Sequence, residues 1–257
     1  MVALGGWGCP PFIWEPLQPF VEDALTLYAF GYPGIDGSQP LDDFSEYTPQ
    51  ALAHRFLTAM QLLQLHRPVL MAHSMGTEVA LSMVLEAPSE LSALILLGPN
   101  AGGGAPGLPF SLNEKRDEVL SFYRRHPRQI NKALRRLVLQ PMVTQPDPVI
   151  AKRLRDAIDT MDRTALLGEL FGAANADLSA AIPLLPPTLC LIGDQDQLST
   201  PEIFAAHCIP VQTLPDCGHM ATLEQPQKVA QAILPFLEQQ ELLFSSSHSQ
   251  HAEKRRP

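Results

Sequence analysis

Ser74 lies in a segment whose residue types fit a nucleophile held on a sharp turn. The segment reads Ala72-His73-Ser74-Met75-Gly76, and it joins the apolar run "PVLMA" to the helix-like run "GTEVALSMVLEA". In a G-x-S-x-G pattern between a strand and a helix, small flanking residues let the backbone fold tightly and expose the serine hydroxyl. Here Ala72 replaces the first glycine. The pattern alone leaves two interpretations open, a catalytic serine and a structural serine.

A serine is a weak nucleophile unless a base accepts its proton and a carboxylate orients that base. Both residue types follow downstream, each after an apolar run. The run "PTLCLIG" precedes Asp194 and Asp196, and the stretch "LPDCGHMATLEQP" contains His219. The residues alone leave Asp194 and Asp196 as alternatives for the acid.

The elements around these residues predict a mainly parallel sheet flanked by helices, because strand-like and helix-like runs alternate along the chain. The predicted strands are "MVALGG", "ALTLYAF", "PVLMA", "LSALILLG", "PTLCLIG" and "CIPVQTLP". The predicted helices are "FIWEPLQPFVEDAL", "TPQALAHRFLTAMQLLQL", "GTEVALSMVLEA", "PEIFAAHC" and "EQPQKVAQAILPFLEQQ". Thr48 and Pro49 fit an N-cap and a first helical position.

The alternation stops in the middle of the chain. After the linker-like "PNAGGGAPGLP", residues 111–182 show helical patterns only, which predicts an inserted all-helical lid over the end of the sheet. Residues 1–110 and 183–243 then form the core. Residues 244–257 are polar and lack aromatic side chains, so we expect a disordered tail.

With these features together, the sequence resembles the α/β-hydrolase family over nearly the whole chain apart from the tail. In this family the acid lies three residues after the glycine that ends its strand, which here selects Asp196. The family's G-H-x-x-x-x-E-x-P pattern is matched by Gly218, His219, Glu224 and Pro226. The resemblance implies Ser74 as nucleophile, His219 as general base and then acid, and Asp196 as the group that orients the imidazole.

The resemblance also implies an oxyanion hole made of two backbone N–H groups. They belong to Met75, directly after the serine, and to Trp7 in "GGWG". The family usually has His-Gly at the end of the first strand, whereas this chain has Gly5-Gly6. A backbone donor does not depend on its side chain, but the support of this loop is left open.

Other histidines and the cysteines are interpreted as structural. His73 is expected to pack within the turn, and His207 to lie in the helix "PEIFAAHC". Cys217 lies close to His219 in sequence, but nothing around it supplies the electropositive setting of a reactive thiolate. The four cysteines are scattered without C-x-x-C spacing, which argues against a metal site and fits reduced thiols. No metal or organic cofactor is expected.

The net charge of −9 is unevenly distributed, because most of the 18 Lys and Arg residues lie between positions 115 and 163. An acidic balance disfavours non-specific nucleic-acid binding. If the chain is helical from Pro127 onward, Arg128, Lys132 and either Arg135 or Arg136 share one face. This basic stripe is either a docking surface for an acidic partner or an ordinary solvated helix face.

The "GWG" opening and the compact lid also resemble the carboxylesterases that hydrolyse the methyl ester of pimeloyl-[acyl-carrier protein] in biotin synthesis. That likeness implies a serine carboxylester hydrolase whose basic lid meets an acidic acyl-carrier protein. The alternatives are a general small-molecule carboxylesterase or lactonase and, in another class, a non-catalytic α/β-hydrolase-like binding protein. No apolar run approaches the roughly 18 residues of a membrane span, and the N-terminus lacks a basic lead, so we expect a cytoplasmic protein.

Overall fold

The computed structural model of the protein describes residues 1–99, 121, 125–126, 147–173, 177–199 and 201–243. Six parallel strands form one sheet in the order β2-β1-β3-β4-β5-β6. The strands are β1 (Val2–Leu4), β2 (Tyr28–Phe30), β3 (Val69–His73), β4 (Ala93–Leu97), β5 (Thr188–Gly193) and β6 (Val211–Leu214). The predicted fold class, a mainly parallel sheet flanked by helices, is confirmed.

Seven α-helices connect or cover the strands within the described ranges. They are α1 (Pro49–Leu62), α2 (Met75–Glu86), α3 (Pro148–Thr160), α4 (Arg163–Ala173), α5 (Glu202–Ala206), α6 (Ala221–Glu224) and α7 (Pro226–Gln239). Within the same ranges, 3-10 helices span Pro11–Phe20, Phe44–Tyr47, Pro88–Glu90 and Ser179–Leu184. None of these helices is both long and apolar enough to cross a bilayer.

The strand side chains alternate between two buried cores, as the period of two along a strand requires. Leu70 and Leu96 lie in the core that contains the apolar faces of α1 and α2. Met71 and Ile95 lie in the core on the other side, with the Pro11–Phe20 helix and α7. The central strands are therefore buried on both faces, which explains why "VLMAH" and "ALILL" are almost continuously apolar.

Helix α1 begins where the sequence predicts. The Thr48 side chain accepts a hydrogen bond from the Ala51 amide at 3.2 Å, and Pro49 occupies the first turn, where its missing N–H is not needed. Leu52 and Phe56 then project from one face into the core. The N-cap and the first helical position are confirmed.

The segment predicted as a helix in "FIWEPLQPFVEDAL" differs from the expectation. Pro11–Phe20 is a 3-10 helix, and turns follow it. Pro16 and Pro19 lie inside it, and a proline has no N–H and sterically opposes the carbonyl four residues earlier. The apolar spacing survives in the tighter helix, since Ile13, Trp14 and Leu17 are still buried.

Helices α3 and α4 pack over the loops that follow β1 and β2. The Trp7 indole N–H donates to the Leu166 carbonyl at 2.8 Å, and the Asp162 amide donates to the Gly34 carbonyl at 2.8 Å. Near the middle of α3, the Arg153 guanidinium contacts both carboxylate oxygens of Glu15, at 2.7 and 3.1 Å. These helices therefore cover the carboxyl ends of the first strands.

Within the predicted lid, the two longer described stretches, residues 147–173 and 177–182, are largely helical. Its status as a separate domain stays a prediction. Several predicted features lie outside the described residues: the linker from 100 onward, the basic positions Arg128, Lys132, Arg135 and Arg136, and the tail 244–257.

Candidate active site

Ser74 forms the sharp turn between β3 and α2. Its φ of +53° and ψ of −124° are rarely adopted by a residue with a side chain, and such strain persists only where the surroundings enforce it. The Ser74 amide donates to the Leu97 carbonyl at 3.0 Å, and Thr77 donates to the Ser74 carbonyl through its amide and its hydroxyl. Helix α2 starts at the next residue, so its N-terminal N–H groups point toward the serine.

Gly76 explains why the turn can lie so close to the first strand. A Cβ at this position would come 2.4 Å from the Gly5 carbonyl oxygen and 2.8 Å from that of Leu4. Any side chain here would displace the start of α2 from β1. Glycine is therefore required at position 76, two residues after the serine, because two backbone segments approach each other closely there.

Asp196 and His219 form a buried pair after strands β5 and β6. The His219 Nδ1–H lies 3.0 and 2.9 Å from the two Asp196 carboxylate oxygens, and both side chains are 1% exposed. Asp194, the alternative acid, accepts instead from the Cys217 amide at 3.0 Å. The structure thus brings Asp196, and not Asp194, onto the histidine.

Two further groups hold Asp196 in its charged form. The Leu198 amide donates to Oδ1 at 2.8 Å, and the Ser199 hydroxyl donates to Oδ2 at 2.5 Å. Burial alone would raise the pKa of Asp196, but these hydrogen bonds and the interaction with His219 outweigh it and lower the pKa to about 2. The sequence alone did not predict this contact of Ser199, although an aspartate whose side chain bonds the backbone two residues later, as Asp196 bonds Leu198, is typical of a turn.

Hydrogen bonds to the backbone of His219 and of its two neighbours in sequence hold the histidine in place. The Glu224 carboxylate accepts hydrogen bonds from the Gly218 and Met220 amides, each at 3.1 Å. His73 Nε2–H donates to the His219 carbonyl at 2.9 Å, and the two rings lie 4.8 Å apart between centroids. His219 Nε2 is buried and has no hydrogen-bond partner among the described residues.

His73 has a structural position in this arrangement. Burial, together with repulsion from His219, lowers the pKa of His73 to about 3, so the ring is neutral. Because its Nε2 already donates to a backbone carbonyl, it acts as a brace between the Ser74 turn and the histidine loop. This placement agrees with the interpretation of His73 as a packed residue of the turn.

The loop after β1 lies directly against Ser74. A Cβ on Gly6 would come 2.8 Å from the Ser74 Cβ and 3.0 Å from His73 Nδ1. The loop closes through the Cys9 amide, which donates to the Gly6 carbonyl at 3.0 Å. Trp7 and Met75, the predicted oxyanion-hole residues, therefore lie on the two backbone segments that flank the serine.

Three side-chain contacts hold this loop. The Tyr32 hydroxyl donates to the Gly5 carbonyl at 2.9 Å, and the Trp7 indole is bonded to α4 as described above. The Gly8 amide, 3.4 Å from Oε2 of Glu169, donates to that fully buried carboxyl. The sequence alone did not predict this contact of Glu169, because "LLGELFG" does not indicate which loop the helix packs against.

The remaining candidates lie apart from this chemistry. Burial raises the pKa of Cys217 to about 12, so its thiol stays protonated. His207 follows α5 instead of lying within it as predicted, because the helix ends at Ala206 and Cys208 adopts a left-handed φ of +59°. All four cysteines are free thiols. Within the described ranges, no group of three or more His, Cys, Asp or Glu side chains could hold a metal ion.

The arrangement can perform nucleophilic acyl transfer. A strained serine, a histidine with a free Nε2, a charged carboxylate on Nδ1 and a glycine-rich loop all meet at the carboxyl edge of the sheet. In such a constellation the histidine can accept a proton from the serine, and backbone N–H groups can stabilise a developing oxyanion.

The amino-acid sequence of this chain is similar to those of known hydrolases. The sequence profile of the Alpha/beta hydrolase family matches residues 1–232. The chain is 28% identical over 256 residues to the pimeloyl-[acyl-carrier protein] methyl ester esterase of Methylococcus capsulatus, a match that covers 92% of this chain and 94% of the relative. It is also 30% identical over 97 residues to the uncharacterized hydrolase YugF of Bacillus subtilis, covering 38% of this chain and 35% of that protein.

Solved structures show the same fold. A thermophilic esterase from Thermogutta terrifontis superposes with a TM-score of 0.79 at 24% identity, covering 93% of this chain and 89% of the esterase. An enol-lactonase from Burkholderia xenovorans superposes with a TM-score of 0.78 at 19% identity, covering 92% and 90% of the respective chains. These matches confirm the fold predicted from the sequence and support the prediction of a carboxylic ester hydrolase.

Proposed function

The chain belongs to the α/β-hydrolase family, and on that premise we propose that it hydrolyses carboxylic esters through an acyl-enzyme formed on Ser74. The observation that carries the proposal is the buried Asp196–His219 pair beside a serine in a strained turn. A structural serine would not need a left-handed φ, a glycine-tight turn and a neighbouring histidine with an unpaired Nε2.

In the first half of the reaction, the Ser74 hydroxyl attacks the ester carbonyl while His219 Nε2 accepts its proton. The charge of Asp196 stabilises the imidazolium that forms, and its low pKa keeps it ionised throughout the working pH range. The carbonyl oxygen becomes an oxyanion, which the Trp7 and Met75 N–H groups stabilise. His219 then returns the proton to the departing alcohol.

In the second half, a water molecule attacks the acyl-enzyme with His219 again as the base. The same two N–H groups stabilise the second oxyanion, and the acid product leaves with Ser74 regenerated. All of these steps use protein groups and water.

Labelling with a fluorophosphonate probe tests this proposal against the binding-protein alternative. The probe forms a covalent bond to an activated serine, so we expect labelling of the wild type and none of Ser74→Ala. Ser82→Ala is a matched control, because Ser82 is a buried serine on α2 whose hydroxyl, within the described part of the chain, donates to the Glu78 carbonyl at 2.9 Å and contacts neither Asp196 nor His219. A folded wild type that resists the probe contradicts the enzyme proposal.

For the substrate, we propose the methyl ester of a pimeloyl chain carried by an acidic acyl-carrier protein. Support comes from the relative with that activity, which aligns over nearly the whole chain, and from the basic positions at 128, 132, 135 and 136. The second candidate, a general small-molecule esterase or lactonase, is supported by the likeness in fold to an enol-lactonase. The two candidates differ in whether a carrier protein is needed.

Comparing carrier-bound with free pimeloyl methyl ester separates these candidates. The triple variant Arg128→Glu, Lys132→Glu and Arg136→Glu is expected to lower kcat/KM for the carrier-bound ester by about tenfold or more at low salt, with little effect on the free ester, because charge steering acts mainly on association. Arg55→Glu on the exposed face of α1 serves as the control. Equal turnover of carrier-bound ester by triple variant and wild type contradicts carrier docking at this stripe.

A further inference from the structure

Helix α4 holds the loop after β1 at two neighbouring points. Leu166 and Glu169 are three residues apart, so they lie on the same face of the helix. The Leu166 carbonyl accepts from the Trp7 indole at 2.8 Å, and the Glu169 carboxyl accepts from the Gly8 amide at 3.4 Å. One helix face thus fixes the side chain of one loop residue and the backbone of the next.

The Trp7 N–H belongs to the same peptide unit as the Gly6 carbonyl, which accepts from the Cys9 amide at 3.0 Å, and the two bonds to α4 restrain Trp7 from its other side. The indole contact fixes the direction of the Trp7 side chain, while the Gly8 contact fixes the peptide plane that follows it. Gly8 has a φ of +66°, so glycine at this position permits a turn that other residues rarely adopt. With both ends restrained, little freedom remains for the N–H of Trp7.

We propose that Glu169 is a positioning residue of the oxyanion hole, which acts by holding the Gly8 amide and thereby the N–H of Trp7. The inference rests on the proposed ester hydrolysis at Ser74. Glu169 itself is not expected to contact the substrate. Its role supplies the loop support that the Gly5-Gly6 sequence leaves open.

The surroundings of Glu169 favour its neutral form. Its side chain is completely buried, and its Oε1 has no partner among the described residues. Among the described residues, the Cys9 thiol and the phenols of Tyr32 and Tyr47 interact electrostatically with Glu169, and Tyr32 also interacts with Glu78. Burial raises the pKa of Glu169 to about 8, only partly offset by the Gly8 hydrogen bond.

The protonation state matters because Glu169 is bonded to Gly8, the residue directly after Trp7, whose N–H is a proposed oxyanion donor. Below about pH 8 Glu169 is neutral and can hold Gly8 without opposing the developing negative charge. Above that pH it becomes a carboxylate, and repulsion then raises the energy of the transition state. Activity is therefore expected to fall as the pH rises through about 8.

Two substitutions separate the positioning role from the charge. Glu169→Gln keeps an oxygen that can accept from the Gly8 amide but cannot ionise, so kcat for a p-nitrophenyl ester should stay within about twofold of wild type at pH 7, and the fall above pH 8 should disappear. Glu169→Leu removes the acceptor, and kcat should drop by roughly tenfold or more while KM changes little.

Glu78→Gln is the matched control. Glu78 lies on α2, is also buried, and burial raises its pKa to about 8 as well, but it makes no hydrogen bond to the loop after β1 within the described part of the chain. It should keep the wild-type kcat at pH 7 and the same fall at alkaline pH. The comparison distinguishes the effect of Glu169 on the pH profile from that of Glu78, the other buried acid whose pKa is raised to about 8.

The outcomes are distinct. If the wild type is active and Glu169→Leu has the same kcat, the inference is overturned while ester hydrolysis stands. The same holds if the activity of Glu169→Gln still falls above pH 8. An inactive, folded wild type overturns the proposed function and this inference with it. If Glu169→Leu does not fold, the pH profile of Glu169→Gln decides alone.

Discussion

Single hydroxyl and amide groups determine how the Asp196 carboxylate is held. His219 occupies one side of the carboxylate, while Ser199 and the Leu198 amide occupy the rest. A buried carboxylate with fewer donors would gain a proton more easily and would stabilise the imidazolium less. Ser199 is therefore expected to influence catalysis without touching the substrate.

Ser199→Ala removes one charge-assisted hydrogen bond from Asp196 and leaves the other two. Bonds of this kind contribute about 1.5–3 kcal/mol, part of which the remaining donors recover, so we expect kcat/KM to fall by about tenfold. Asp196→Asn should cost far more, roughly ten-thousand-fold, because it disturbs the histidine's tautomer and removes the charge. Steady-state kinetics on one ester substrate measures both.

Ser82→Ala is again a suitable control, since among the described residues its hydroxyl bonds a backbone carbonyl of its own helix. Wild-type kinetics for Ser199→Ala would contradict this prediction and show that the histidine and the Leu198 amide suffice to hold Asp196. A fall in kcat/KM for Ser199→Ala as large as that for Asp196→Asn would also contradict the prediction, because it would mean that the two remaining donors recover none of the lost interaction.

At the scale of elements, the sequence predicts the inner strands β1, β3, β4 and β5 well, because parallel strands buried on both faces must be continuously apolar. The residues after β3, β5 and β6 then fall at one edge of the sheet, which brings Ser74, Asp196 and His219 to the same region of the molecule. The structure adds the direct contact between the acid and the histidine. The catalytic roles of these residues stay predictions.

Other elements depend on contacts that no local pattern contains. Glu169 looks like any carboxylate on an amphipathic helix until α4 packs on the loop after β1. The role of Ser199 likewise becomes visible only when β5 and β6 pair, because this pairing brings His219 onto Asp196, the carboxylate that Ser199 contacts. Long-range packing, rather than residue type, decides these positions.

At the scale of the whole molecule, two buried acids couple folding to pH. Glu78 and Glu169 are 1% and 0% exposed, and burial raises the pKa of each to about 8. In the unfolded chain a glutamate titrates near 4.3, so the folded state binds more protons between these two values. Their stabilising contribution is complete below about pH 4 and is lost as the pH rises through about 8.

Each buried acid should lower the free energy of unfolding by up to ~1.4 kcal/mol per pH unit between pH 5 and pH 8, while the neutral His73 contributes in the opposite direction up to about pH 6.5, so we expect the steepest decrease between pH 6.5 and pH 8. Glu78→Gln removes one of the two groups, so its decrease over this range should be smaller than that of the wild type, and at pH 8 it should be the more stable protein. Denaturant unfolding at pH 5, 6.5 and 8 measures this slope. Glu22→Gln, at an exposed position, should leave the slope unchanged. Parallel pH dependences for wild type and Glu78→Gln would mean that Glu78 ionises inside the fold as easily as in the unfolded chain, and would contradict the prediction.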